Sequence, residues 1–275
     1  MKKLLMLFSL ILMCTFVFGQ TNYALVKQTG NWNTATVSQV SMSPAVARIN
    51  SLDFFQTGNN NALYATQTAW TQNFSDGVQS GDNNFADVDQ KSPDNNSTLL
   101  QSGNSNIMKL DQGTLGGYPV ADNYAVATQS GNYNKYYMNQ DGQKNVQYLT
   151  QSGKFNKAWL DQTSKDPAKL NWSEIKQSGD KNWADLDQLG MDVGGKAYSD
   201  VYQTGDDNDV MVAQVGEYYD NDSYLLQKGN KNDAFIYQKT WYNNTSTNYE
   251  TGNHNTLDLR QNSWGAGSAT DPWWF

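Results

Sequence analysis

A block Q-x-G-x-x-N, followed six residues later by a second Gln, recurs ten times along this chain and leaves little freedom in how it can fold. The first Gln stands at Gln28, Gln56, Gln79, Gln101, Gln129, Gln151, Gln177, Gln203 and Gln227, and Glu250 takes its place in the tenth copy. Every copy keeps the Gly two residues on: Gly30, Gly58, Gly81, Gly103, Gly131, Gly153, Gly179, Gly205, Gly229 and Gly252. Every copy also keeps the Asn five on: Asn33, Asn61, Asn84, Asn106, Asn134, Asn156, Asn182, Asn208, Asn232 and Asn255. The Gln eleven on is equally constant: Gln39, Gln67, Gln90, Gln112, Gln140, Gln162, Gln188, Gln214, Gln238 and Gln261. Self-similarity at this spacing implies stacked units that share one continuous core.

The flanks of the block are regular too. Asn precedes the first Gln by six residues in nine copies (Asn22, Asn50, Asn73, Asn95, Asn123, Asn145, Asn171, Asn221 and Asn244), with Ala197 the exception. Ala or Ser stands four before it in eight copies, and a large apolar residue two before it in seven: Val26, Phe54, Leu99, Leu149, Ile175, Val201 and Leu225. The second half repeats the order, as in Asn33, Ala35, Val37, Gln39 and again in Asn232, Ala234, Ile236, Gln238. Each repeat is thus two copies of N-x-[AS]-x-φ-x-Q, with φ usually aliphatic, and a strict period of two marks β-strands whose alternate side chains share a face.

The patterned face points inward, so two facing strands pack Asn, a small residue, an aliphatic residue and Gln into a thin, partly polar core. An unpartnered buried amide costs roughly 1–3 kcal/mol. The same amide in the next rung, about 4.8 Å away, removes that cost. The reading is therefore an all-β solenoid of ten strand-arc-strand rungs over 20–262, about 48 Å tall at strand spacing. The arc carrying the Gly never varies in length, as a tight reversal with positive φ requires. The second arc varies from four residues, between Gln90 and Asn95, to ten, after Gln39, and its insertions carry Pro44, Pro93, Pro119 and Pro167. One edge should be smooth and the other decorated.

Residues 1–19 read as a secretory signal, with Lys2 and Lys3 before an apolar run from Leu4 to Phe18 and cleavage expected near Gly19. Acylation at Cys14 is the alternative, weakened by bulky Met13 before it. Cys14 is the sole cysteine, so the chain after Gly19 has no thiol for a disulfide, catalysis or metal binding. Without Lys2 and Lys3 the balance is 17 basic against 27 acidic residues, a net of −10, which argues against nucleic acid and anionic membranes as partners.

The Gln, Gly, Asn and second Gln, at these spacings, resemble the curlin repeat of bacterial curli fibre subunits, S-x5-Q-x-G-x-x-N-x-A-x3-Q. The resemblance runs from Asn22 to Gln261, with Asn in the leading Ser position. It implies a secreted structural subunit, major or nucleating, that polymerises with itself end to end into extracellular amyloid on the cell surface. It further implies roles in biofilm and adhesion, a companion fibre subunit and outer-membrane secretion machinery, with no cofactor. The first repeat leaves no room for the separate N-terminal export arm of curli subunits, and no amphipathic helix precedes Asn22, so the first rung should be open.

Other readings stand beside this one. The ladders could serve a monomeric secreted solenoid that binds carbohydrate or a surface through outward aromatics such as Tyr64, Tyr137, Trp159 and Phe235. Outward Asp87, Asp89, Asp111, Asp161, Asp185 and Asp187 read either as a solvated surface or as gatekeepers whose repulsion delays assembly. Calcium could relieve that repulsion, but the glycine-rich nonapeptides of calcium-binding β-rolls are absent and no metal site is expected. The tenth rung, with Asn248, Glu250, His254 and Arg260, is either a frayed terminal repeat or a gatekeeper. The tail Asp271-Pro272-Trp273-Trp274-Phe275 covers the last rung or binds a partner. One histidine and no Ser-His-Asp or metal-ligand cluster leave an enzyme unsupported, and the outward positions are too mixed for ice binding.

Overall fold

A computed structural model describes residues 22–41, 50–69, 72–113, 122–164, 170–190, 196–216, 220–240 and 243–263. The signal segment with Cys14, the insertions holding Pro44, Pro119 and Pro167, and the aromatic tail lie outside the described residues.

Twenty strands form two parallel ten-stranded sheets. The first strands of the rungs are β1 (Tyr23–Thr29), β3 (Ser51–Thr57), β5 (Phe74–Ser80), β7 (Asn96–Asn104), β9 (Tyr124–Asn132), β11 (Asn145–Lys154), β13 (Asn171–Ser178), β15 (Ala197–Thr204), β17 (Asn221–Lys228) and β19 (Asn244–Thr251). The second strands are β2 (Thr34–Ser41), β4 (Ala62–Ala69), β6 (Phe85–Gln90), β8 (Ile107–Gln112), β10 (Lys135–Gly142), β12 (Lys157–Ser164), β14 (Trp183–Gly190), β16 (Asp209–Gly216), β18 (Asp233–Thr240) and β20 (Thr256–Ser263). Each strand pairs with the strand two places on, in a register that puts like on like: Gln28 beside Gln56, Gln140 beside Gln162, Gln203 beside Gln227. The all-β solenoid expected from the repeat is the fold of the molecule.

The core is a single stripe between the sheets. Its apolar column includes Phe54, Leu99, Leu149, Ile175, Val201 and Leu225 from one sheet, facing Val88, Leu110, Leu160, Leu186, Val212 and Ile236 from the other, all buried. Volume is balanced locally. Gly77 stands between Phe54 and Leu99 in the column, and the Phe54 ring fills the space a side chain there would need. In the fifth rung, Ala125 and Ala127 on β9 share the layer with the large Tyr136 on β10.

The invariant glycines have a stricter reason. All ten take φ between +95° and +123°. At Gly153 a Cβ would also run into the carbonyl oxygen of Gly179 in the next rung. Close stacking of arc on arc therefore demands a residue with neither a Cβ nor a conformational penalty. The residue just before the arc Asn is left-handed as well, at φ of 55–61°, although it is Trp32, Ser105, Tyr133, Phe155 or Lys231 rather than glycine. Such a conformation costs an ordinary residue about 1–2 kcal/mol, offset here by a bond along the stack: the N–H of Tyr133 donates to the Asn104 carbonyl and that of Lys231 to Asp206, both at 3.0 Å.

Gly153→Ala should destabilise the chain by at least about 1–3 kcal/mol through strain alone, whereas Ser152→Ala beside it should stay within about 0.5 kcal/mol. Urea denaturation of the two variants separates the outcomes.

Candidate functional site

The first-Gln column forms an unbroken chain of side-chain hydrogen bonds. Gln28 Nε2 donates to Gln56 Oε1 at 2.6 Å, and the pattern continues through Gln79, Gln101, Gln129, Gln151, Gln177, Gln203 and Gln227 at 2.7–3.1 Å. It ends where Gln227 Nε2 donates to Glu250 Oε2 at 2.7 Å. The second column runs the same way from Gln39 to Gln67 (2.7 Å), through Gln90, Gln112, Gln140, Gln162, Gln188 and Gln214, to Gln238 and Gln261 (2.8 Å). Gln56 to Gln227 and Gln67 to Gln238 are buried, while Gln28 is exposed and Gln39 and Gln261 are half-buried on the end rungs.

Each amide has a second N–H, and in all but Gln28 and Gln129 among these glutamines it crosses the core. Gln90 Nε2 reaches the Phe74 carbonyl of its own rung at 3.1 Å, and Gln203 Nε2 reaches the Trp183 carbonyl of the preceding rung at 2.9 Å. Glutamine is thus the side chain that ties rung to rung and sheet to sheet at once. Asparagine would be too short to do both.

The arc asparagines are equally saturated. Asn156 Nδ2 donates to the Ser152 and Gly179 carbonyls at 2.9 and 2.8 Å, while its Oδ1 accepts the backbone N–H of Asn182 at 2.9 Å. A further column, not singled out from the sequence, lies one residue after the arc glycine. There the N–H of Asn31 donates to Asn59 Oδ1, Asn59 to Asp82, Asp180 to Asp206, and Asn230 to Asn253, at 2.7–3.1 Å. Asn or Asp occupies this place in nine of ten copies, Lys154 being the exception, and that enrichment was the available signal.

Where the pattern breaks, polar atoms lose partners. Ala197 interrupts the leading-Asn column, and both amide atoms of the next residue in it, buried Asn221, are unpartnered. Gln147 replaces the usual Ala or Ser, is fully buried, and likewise has neither amide atom bonded. The hydroxyl of buried Tyr136 has no partner, and burial pushes its pKa well above the usual value.

The outward acids gather along one groove. Asp87, Asp89, Asp111, Asp161, Asp185 and Asp187 line a groove of about 940 Å³ on the second sheet, together with Tyr137, Trp159 and Trp183. Tyr137 stacks on Trp159 (centroids 5.5 Å, 7° between planes), and Trp159 meets Trp183 edge-on at 6.0 Å. Burial among these rings raises the pKa of Asp87, Asp111, Asp161, Asp185 and Asp187. Neighbouring carboxylates add to it at Asp161 and Asp185. Lys91 bridges Asp89 and Asp111 at 2.7 and 3.4 Å. Elsewhere Asp200 and Asp209 rise to about 6, by burial and then by the charges of Glu174 and Asp233 respectively. Tyr64 packs on Phe85, and Phe235 lies under Arg260. Among the described residues no group of three or more His, Cys, Asp or Glu is placed to hold a metal ion.

Ala197→Asn should restore the missing rung of the leading column and stabilise the chain by about 1–3 kcal/mol, read as a higher urea midpoint. Because the raised acids hold protons more tightly folded than unfolded, stability should be greatest near pH 4 and fall as pH rises to and beyond the values near 6 of Asp200 and Asp209, levelling off above. A denaturation midpoint that is higher near about pH 8 than near about pH 5 would contradict this.

No curated protein shows a significant match to the chain. A family model does: the curlin associated repeat matches residues 18–40, which include the first rung, and 205–239, which run from the Gly205 arc through β16, β17 and β18. Over those two stretches the chain is similar to the curlin associated repeat.

Proposed function

We propose that this chain is a secreted structural subunit of a curli-like extracellular amyloid fibre, adding copies of itself end to end by templated β-stacking. The observation that carries the reading is that every column joining the rungs stops at the end rungs without a closing element among the described residues. β1 is exposed over six of its seven residues. At the other end, the Cβ position of Gly252 meets only Asn255 among the described residues, whereas its counterpart in each earlier rung faces the next arc's carbonyl. Such edges are templates for further pairing. The contact is heterologous and need not close on itself, so it produces a filament.

The curlin associated repeat supports an extracellular, cell-surface setting and a structural rather than catalytic role. Support of biofilm matrix and adhesion, a companion subunit and an outer-membrane secretion channel belong to the same reading. A second reading, a monomeric secreted solenoid that binds carbohydrate, rests on the stacked Tyr137 and Trp159 rings in the groove of the second sheet.

Dilution of the purified chain from denaturant should give thioflavin-positive fibres after a lag that preformed fibres abolish, as seen by fluorescence and electron microscopy. A persistently soluble β-rich monomer would favour the carbohydrate reading instead. Gln151→Leu leaves Gln129 Nε2 and Gln177 Oε1 without their partners, at roughly 1–3 kcal/mol for each group. It should slow seeded growth far more than Asp161→Asn, and equal effects would remove the ladders from the mechanism.

A further inference from the structure

The columns joining the rungs have a fixed donor sense, which decides what each end face offers a second copy. Resting on the fibre reading above, we propose that Glu250 makes head-to-tail addition at the C-terminal face a proton-coupled step, so that this face accepts the N-terminal rung of another copy only with Glu250 protonated.

Four columns define the match. In the second-Gln column each amide nitrogen donates towards the C-terminal rung, so the N-terminal face ends on Gln39 Oε1 and the C-terminal face on Gln261 Nε2. In the column after the arc glycine, backbone N–H groups donate the same way, leaving Asn31 Oδ1 at one end and the Asn253 N–H at the other. The arc-Asn column runs in the opposite sense: the Asn61 N–H donates back to Asn33 Oδ1, and that of Asn255 to Asn232 Oδ1. It therefore ends on the Asn33 N–H and on Asn255 Oδ1. Setting the N-terminal face of one copy on the C-terminal face of another pairs donor with acceptor in all three columns. Joining two like faces would oppose like groups in each.

The fourth column fails in the ionised state. Its N-terminal end is the acceptor Gln28 Oε1, and its C-terminal end is the Glu250 carboxylate, already accepting from Gln227. A carboxylate has only acceptors. The carboxylic acid has an O–H to give Gln28, while its other oxygen keeps the bond from Gln227. Uptake of one proton from solvent therefore completes the junction. Glutamine in the other nine rungs does this at any pH.

The surroundings favour the protonated form. Glu250 is buried. Burial raises its pKa, with the Gln227 bond opposing and the negative charge of Asp233 on β18 reinforcing the rise. β17 contributes only the neutral Gln227 to this contact. On β20, Leu257 and Leu259 pack against the core and Gln261 joins the second-Gln column, while Asp258 and Arg260 pair with each other on the exposed side. A second copy laid over the rung would remove more water and move the pKa further up.

The test is seeded elongation of the full chain followed by thioflavin fluorescence across pH, for the native protein, Glu250→Gln and Asp233→Asn. Native elongation should quicken by up to about tenfold per unit as pH falls towards the Glu250 pKa, the limit for a one-proton step. Glu250→Gln should elongate near neutrality as fast as the native chain does in acid, with a flat profile. Asp233→Asn should keep the profile but shift its midpoint to lower pH. Fibres that elongate with the same pH profile in native and Glu250→Gln chains overturn the proton-coupled junction while leaving the fibre reading intact. Absence of seedable fibres from every chain at every pH overturns the fibre reading and the junction with it.

Discussion

A buried primary amide is satisfied here by an identical amide one strand spacing away. That interaction governs the rest of the molecule, because it demands that like residues recur at the same point of every rung and that no rung slip by even one residue. A single-residue slip would turn the whole patterned face outward. The constant length of the Gly-containing arc follows from this demand, since any insertion there would put the second strand out of register with its neighbours. The arc glycines follow from it too, because arcs stacked at strand spacing bring carbonyl oxygens to where a Cβ would stand.

Polar saturation and apolar packing divide the work within the same thin core. The apolar column tolerates Gly77, Ala127 and Tyr136, because volume lost in one rung is taken up by a neighbour or by the facing strand. The amide columns tolerate less. The alanine at position 197 takes away the side-chain acceptor next to Asn221, both of whose amide atoms are unpartnered, and a single misplaced amide at Gln147 finds no partner at all. Directional bonds cannot be averaged over neighbours as dispersion contacts can.

The hydrogen-bonded columns also give the solenoid a polarity that its near-identical rungs conceal. Acceptors and donors are distributed differently on the two end faces, so an end-to-end contact between copies has a preferred sense. Along the outer face of the second sheet, aspartates sit one strand spacing apart beside stacked aromatic rings, and their carboxyls are harder to ionise than in water. Folding therefore stores an electrostatic cost at neutral pH on the outside of a core that is itself almost uncharged.

Much of this was legible from the chain alone. Period-two patterning and ten invariant Gln, Gly and Asn positions determined two parallel sheets of ten strands and a core of alternating amide and aliphatic layers, because only stacked translation satisfies so many identical amides. The positive φ of the arc glycine was legible for the same steric reason. The left-handed residue before the arc Asn was not, since its side chain varies from Trp32 to Lys231 and the conformation is held by a backbone bond to another rung. The Asn/Asp column after the glycine was present in the sequence but hidden between two stronger signals. The donor sense of the columns, the gathering of the outward aspartates along one groove and the isolation of Asn221 were decided only by the tertiary structure. Each depends on which atom of one rung faces which atom of the next, and spacing along a chain carries no direction across the stack.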